Sequence, residues 1–383
     1  MRIFILTLCI SLPAALFTPA RSQSDLEVQI DELVTSYTDL GLFSGSVLVA
    51  DEGEVFKQGY GLANHSWEIE NTPGTRFQIA SLTKSFTAVL ILQMAESGLL
   101  NLEAPLTIYL PDYPADYGAD ITIRQLLAHT SGIPDYTGFS EWADSTSRIE
   151  TRPSVFLEHI AGRPLEFEPG TRFGYSNSNY YLLGIVIENV TSKTYGRVLQ
   201  EQILVPGRLE NTGYLFDRMV VDQMASGYER VANGVYEKAP YQSPSTAYSA
   251  GGIYSTVEDL YRWDQLLYTD RLLTGASRNR MFSERRSNYG YGWVVGDIYP
   301  NDAGKFFKSP FNFGFVERRS GKGNYRTIWH WGSNPGYNAL LVRVPENRWT
   351  IVILENQSLL GDPEGTRIYD IAGEIYELLD ESR

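Results

Sequence analysis

The stretch that most constrains this chain is ASLTKSFTAVLILQMAESG, residues 80–98. From Phe86 to Ala95 almost every position is apolar, and Gly98 supplies a helix stop. A helix that is apolar most of the way round has no face for solvent and belongs at the centre of a fold. The 383 residues are enough to surround it with a substantial core, in one large or two ordinary domains. Yet Lys84 stands in its first turn, three residues after Ser81, among the hydroxyls of Thr83, Ser85 and Thr87.

Positions i and i+3 share a helix face, so Ser81 and Lys84 are neighbours. A serine hydroxyl is a poor nucleophile until a base takes its proton. Burial in an apolar helix lowers a lysine pKa by penalising the charged form, and the helix N-terminus acts in the same direction while favouring an oxyanion. The plainer reading, a surface lysine with Ser81 as an N-cap, sits poorly with the apolar continuation.

Leu26, Ile30, Leu33, Val34 and Tyr37 fall on one face of an opening helix. GSVLVA and EVFKQGYG then read as strands joined by a tight turn at Asp51-Glu52-Gly53. The middle is mostly helical, with patterns at 122–129, 153–161, 178–190, 194–203 and 256–268. The last opens on a Ser255-x-x-Glu258 capping box. Strand signals return in YGWVVGD, NYRTIWHW, YNALLVRV and RWTIVILE, the last two joined at Pro345-Glu346-Asn347. A final amphipathic helix runs through Ile368, Ile371, Ile375 and Leu378.

This order predicts an α+β fold. An antiparallel sheet is built from both termini (about 40–62 and 288–356) and covered by the terminal helices, with a large helical region (about 80–280) inserted. No repeat or linker divides residues 23–383, which read as a single domain. A site in this layout belongs in the crevice between sheet and helical region.

Residues 1–22 read as a cleavable signal peptide: Arg2, an apolar run from Ile3 to Phe17, and Ala20-Arg21-Ser22 before Gln23. The expectation is a secreted or periplasmic protein without a stable membrane span after cleavage. Cys9, the sole cysteine, leaves with that segment, so the mature chain has no disulfide. The net charge of −14, made more negative by loss of Arg2 and Arg21, argues against nucleic acid or anionic membrane as a partner. Arg318, Arg319 and Lys322 read as a solvated loop.

Two further stretches carry chemistry. In FEPGTRFGYSNSNYYLLG (167–184), Tyr175 stands before an apolar helix where a phenol can relay protons, and Asn177 can hold a substrate amide. In IWHWGSNPGY (328–337), His330 can hydrogen-bond or carry pH-dependent charge, and Gly332 lets another backbone approach a strand edge. Taken singly, each also reads as structure: a helix cap with a packing tyrosine, and a core histidine. His129 with Ser131 in AHTSGIP suggests a Ser-His-Asp triad, but the chain has no G-x-S-x-G elbow. His65 and His159 lack partners at ligand spacing and there is no H-E-x-x-H, so no metal or other cofactor is expected.

In this order, Ser81-x-x-Lys84, Tyr175-Ser176-Asn177 and His330-x-Gly332 resemble the three signatures of the penicillin-recognising serine hydrolases. The likeness is to the branch with class C β-lactamases, D-alanyl-D-alanine carboxypeptidases, D-aminopeptidases and related esterases. LLAHTSGIPDY (126–136) and SAGGIYSTVEDLYRW (249–263) extend it, so it runs from about residue 40 to about residue 355. The resemblance implies that Ser81 is the acylated nucleophile and that Lys84 and Tyr175 share the proton transfers, with either able to take the serine proton. It implies that Asn177 holds Lys84 and the substrate, that His330 stands where many relatives have lysine, and that Gly332 clears the strand edge. The backbone N–H groups of Ser81 and Ser333 would form the oxyanion hole. One departure is Trp331, where many relatives place a Thr or Ser hydroxyl that helps bind a substrate carboxylate. It tilts the expectation towards small esters, amides or aminopeptide-like substrates. The alternative is a receptor that binds penicillins or cell-wall peptides without turnover.

Overall fold

The computed structural model describes residues 23–231, 234–283, 287–296, 325–359 and 367–383. Residues 1–22, read as a signal peptide, and the Arg318–Lys322 cluster therefore lie outside the described residues. Helix α1 (Gln23–Asp39) leads into strands β1 (Gly45–Asp51) and β2 (Glu54–Tyr60). Their two-residue turn has Glu52 at φ 49° and Gly53 at φ 102°, the doubly positive geometry that matches hairpin twist. The helical region follows, with α2 (Thr83–Glu96), α3 (Asn177–Thr191) and α4 (Val257–Leu266) at its heart. The chain then returns as β3 (Val294–Val295), β4 (Ile328–Asn334), β5 (Tyr337–Val344) and β6 (Trp349–Glu355), and closes with α5 (Ile368–Glu381).

Among the described residues these strands form one antiparallel sheet of order β3-β4-β5-β6-β1-β2. β1 pairs with β6 from Gly45↔Glu355 to Ala50↔Thr350, so the two ends of the chain meet in the middle of the sheet. Three smaller sheets, such as the one pairing Phe77–Gln78, Ile253–Ser255 and Gly213–Tyr214, were not foreseen. Strands of two or three residues are too short to show a period of two.

The near-continuous apolar runs of β1, β5 and β6 have a simple cause: the sheet is a middle layer, buried on both faces. Val47, Val49, Leu340, Val342, Ile351 and Ile353 point to an outer core with Leu26, Ile30 and Val34 of α1 and Ile371, Ile375 and Leu379 of α5. The alternating Leu48, Ala50, Ala339, Leu341, Val352 and Leu354 point to an inner core with α2 and α3. α2 runs through that inner core, with Thr83 through Leu92 all buried.

Two local expectations are corrected. Ser81 does not begin α2; it sits in a 3₁₀ turn, Ala80–Leu82, just before it. The cap of α4 is Thr256 and not Ser255, because Ser255 is committed to a strand and the Thr256 side chain accepts from Asp259 N–H at 3.2 Å.

α4 is fixed to the inner sheet face by a buried ion pair. Arg343 Nε of β5 lies 2.5 Å from Asp264 Oδ1, both side chains essentially without solvent contact. Thr350, the register partner of Arg343 on β6, donates to Asp264 Oδ2 at 2.6 Å. The guanidinium also lies over the rings of Tyr268 and Phe282, at 4.6 and 4.8 Å. Removing one member leaves the other charge stranded in a dry interior. Asp264→Ala should therefore lower the unfolding free energy by about 3–5 kcal/mol in a urea titration, and the apolar pair Asp264→Leu with Arg343→Met by much less.

Candidate active site

Ser81, Lys84, Tyr175, Asn177, His330 and Gly332 converge where the inner sheet face meets the N-terminus of α2. The 3₁₀ turn is entered through Ala80, a non-glycine residue at φ 44°, which turns the Ser81 side chain out of the helix proper. Lys84 is fully buried. Its Nζ lies 2.9 Å from Ser81 Oγ and 2.8 Å from both Asn177 Oδ1 and the Ala250 carbonyl oxygen. The rings of Tyr175 and Tyr180 lie 5.1 and 5.8 Å from the same nitrogen. Burial lowers the Lys84 pKa to about 7, against the opposing pull of the Asp135 carboxylate. Near neutrality the amine can thus be uncharged and accept a proton from Ser81.

Tyr175 precedes Ser176, the extended N-cap residue of α3. Burial holds its phenol well above the usual range, although a hydrogen bond with Ser81 opposes this. The phenol is therefore a donor at neutral pH and a poor source of phenolate. This separates the two candidates for the serine proton, and the amine is the better base.

His129 grips the segment around Tyr175 from both sides. Its carbonyl accepts from Gly174 N–H at 2.9 Å and its Nδ1 from Ser176 N–H at 3.1 Å, while its ring lies 4.4 Å from that of Tyr175. Nδ1 is an acceptor, so the ring proton sits on Nε2. Burial and Lys84 hold the imidazole well below its usual pKa, and therefore neutral. His129 thus supports the tyrosine loop, and the Ser-His-Asp triad finds no counterpart in these contacts.

His330 is also buried and neutral, its pKa lowered to about 3 by burial and by Lys84. A carbonyl oxygen can only accept, so Nδ1–H donates to Trp331 O at 2.6 Å and Nε2 accepts from the Tyr289 hydroxyl at 3.0 Å. The imidazole has no proton left for an incoming carboxylate. Trp331 alternates to the outer core, at whose edge its ring lies 5.8 Å from Tyr175. Gly332 explains itself by contact: a Cβ there would lie 2.0 Å from Ile79 O and 2.8 Å from Ser81 N. Only glycine lets β4 press against the turn that carries Ser81, and the exposed Ser333 follows it.

Asn177 holds Lys84 through Oδ1, but its other end is already occupied. Nδ2 donates to Asp135, at 3.0 Å to Oδ2 and 3.3 Å to Oδ1. Asp135 and Tyr289 were not singled out from the sequence. Asp135 lies in the HTSGIPDY run, which gave a usable signal, whereas Tyr289 lies 41 residues from His330 with no motif to join them. Among the described residues no group of three or more His, Cys, Asp or Glu could hold a metal ion, and no helix is long and apolar enough to cross a membrane.

Comparison with known proteins gives the family and the fold. The Beta-lactamase family model matches residues 30–373. Penicillin-binding protein 4* of Bacillus subtilis (strain 168) is 30% identical over 335 residues, covering 82% of this chain and 68% of its own length. Protein flp of Staphylococcus aureus (strain MRSA252) is 34% identical over 253 residues, 63% of this chain and 49% of its own. The chain thus spans about two thirds and about half of these relatives. The crystal structure of a penicillin binding protein from Bacillus halodurans superposes with a TM-score of 0.75 at 27% identity, covering 90% of this chain and 99% of that one. D-amino acid amidase from Ochrobactrum anthropi SV3 gives 0.77 at 22% identity, covering 94% and 100%, a likeness of fold. The chain belongs to the β-lactamase family.

Proposed function

We propose that this β-lactamase-family protein is a serine hydrolase that forms an acyl-Ser81 intermediate with small amides or esters lacking a carboxylate beside the scissile bond. The observation that carries the reading is the fully buried Lys84 amine, 2.9 Å from Ser81 Oγ and with its pKa lowered to about 7. The similarity to a penicillin binding protein and a D-amino acid amidase supports the same class of chemistry. Export by way of the signal read at residues 1–22 belongs to this proposal.

In acylation the Ser81 Oγ–H proton passes to neutral Lys84 Nζ as Oγ bonds to the acyl carbon. The carbonyl oxygen becomes an oxyanion, held by the N–H groups of Ser81 and Ser333, each such donor being worth about 3 kcal/mol. The tetrahedral adduct then collapses. The acyl–leaving-group bond breaks, and the leaving amine or alkoxide takes a proton from the Tyr175 hydroxyl, which Lys84 replenishes. Water repeats the sequence from the other side and returns free acid and Ser81.

The substrate limit follows from His330. A neutral imidazole with both nitrogens engaged supplies no charge for a carboxylate, and Trp331, turned to the outer core, adds nothing to the choice. Esters and amino-acid amides should therefore acylate Ser81 faster than peptides ending in a free D-alanine.

Intact-protein mass spectrometry after exposure to a p-nitrophenyl ester, an amino-acid amide and a penicillin tests this directly. An adduct on the wild type that turns over, and none on Ser81→Ala, is expected. An adduct that persists without turnover would mark a receptor, and full activity of Ser81→Ala would end the assignment. The acylation rate should fall about tenfold per pH unit below an inflection near 7, because protonated Lys84 cannot accept the serine proton. Gly332→Ala, with its Cβ driven into Ile79 O, should slow acylation by about 100-fold or more while the far-UV circular dichroism is unchanged.

A further inference from the structure

Asp135 touches neither Ser81 nor Lys84, yet its half-buried carboxylate collects the groups that place Asn177. Oδ1 accepts from Thr137 N–H at 3.2 Å and from Asn177 N–H at 3.2 Å, and both oxygens accept from Asn177 Nδ2. An amide has an acceptor at one end and donors at the other, whereas a carboxylate only accepts. The Asp135 carboxylate therefore dictates which way the Asn177 amide faces: NH₂ towards itself, Oδ1 towards Lys84 Nζ at 2.8 Å.

We infer that Asp135 is a positioning residue for the Ser81–Lys84 pair, acting through the Asn177 amide to keep the lysine lone pair free and to balance its charge. The inference rests on the acyl-Ser81 reading above. The first part is geometric. A neutral Lys84 has one lone pair, and the Ser81 proton must reach it. An Asn177 turned the other way would aim an N–H at that lone pair and compete with the serine. Asp135 blocks that orientation from the far side of the amide.

The second part is electrostatic. The groups facing Lys84 are Tyr175 and Tyr180 from the α3 side, His129 and Asp135 from the segment before it, and His330 from β4. Both histidines are neutral and both tyrosines are protonated, so Asp135 brings the negative charge of this set. It opposes burial at Lys84, and the Lys84 charge in turn draws the Asp135 pKa down against its own burial. Burial lowers the Lys84 pKa and the Asp135 carboxylate opposes that lowering.

The test is the pH dependence of Ser81 acylation by a neutral p-nitrophenyl ester, followed with thermal unfolding of each variant. Asp135→Asn keeps an oxygen for the same donors and removes the charge. It should move the acid limb about one pH unit lower and reduce the plateau rate, since the amide can now turn, with KM little changed. Asp135→Glu keeps the charge and should leave the limb close to that of the wild type. Asn177→Asp brings a carboxylate against Lys84 and should move the limb upwards, which keeps the test open if Asp135→Asn does not fold. Limbs that stay in place in both Asp135→Asn and Asn177→Asp, whatever happens to melting temperature, would overturn the inference. A wild type with no adduct on Ser81 would overturn the acyl-enzyme reading first, and this inference with it.

Discussion

An ammonium group sealed inside an apolar helix core is costly unless every proton has a partner or one proton is given up. Lys84 lives at the balance between these two states. Its nitrogen has three oxygen neighbours, enough to satisfy a cation, in surroundings dry enough to make the neutral amine nearly as good. Much of the inner architecture serves this balance. α2 is buried from Thr83 to Leu92 so that the amine is dry, α3 begins at Asn177 so that an amide meets it, and the segment ending at Ala250 brings a carbonyl to its third side.

Three strained residues stand beside this arrangement. Ala80, at φ 44°, directly precedes Ser81. His129, at φ 53°, holds the amides on either side of Tyr175. Tyr248, at φ 43° and ψ −131°, leads into Ser249 and Ala250, whose carbonyls accept from Thr87 and Lys84. Such conformations cost of order 1–3 kcal/mol each and persist only where the surroundings over-determine them. Here the surroundings are the tightly packed inner core. Its stability is what keeps a serine, an amine and a phenol within hydrogen-bonding reach.

How much of this was legible beforehand follows from the range of the signals. The strands from both termini, their hairpins and the terminal helices have short-range periodicity, and they were readable. Ser81, Lys84, Tyr175, Asn177, His330 and Gly332 were readable because each stands in a short local motif. Residues whose role is set by a distant partner were not. The start of α3 is one case: Ser176 is the N-cap without a side-chain cap bond, and its amide is held by His129, 47 residues away. Tyr289 bonds to the second nitrogen of His330 across a gap that no periodicity spans. Asp135 stands in the LLAHTSGIPDY run, but only the folded chain brings it to Asn177.

The outer core joins the same argument through β4. Strand alternation sends His330 and Gly332 towards the nucleophile and sends Trp329 and Trp331 to the opposite face. The aromatic contacts then run without a break from α5 to the site: Tyr369 lies 6.3 Å from Trp329, Trp329 5.8 Å from Trp331, and Trp331 5.8 Å from Tyr175. A small hydroxyl side chain at 331 would leave a gap between that core and the phenol. The indole fills that gap and packs beside the Tyr175 ring. The packing of the outer core thus reaches Tyr175, beside Ser81 and Lys84.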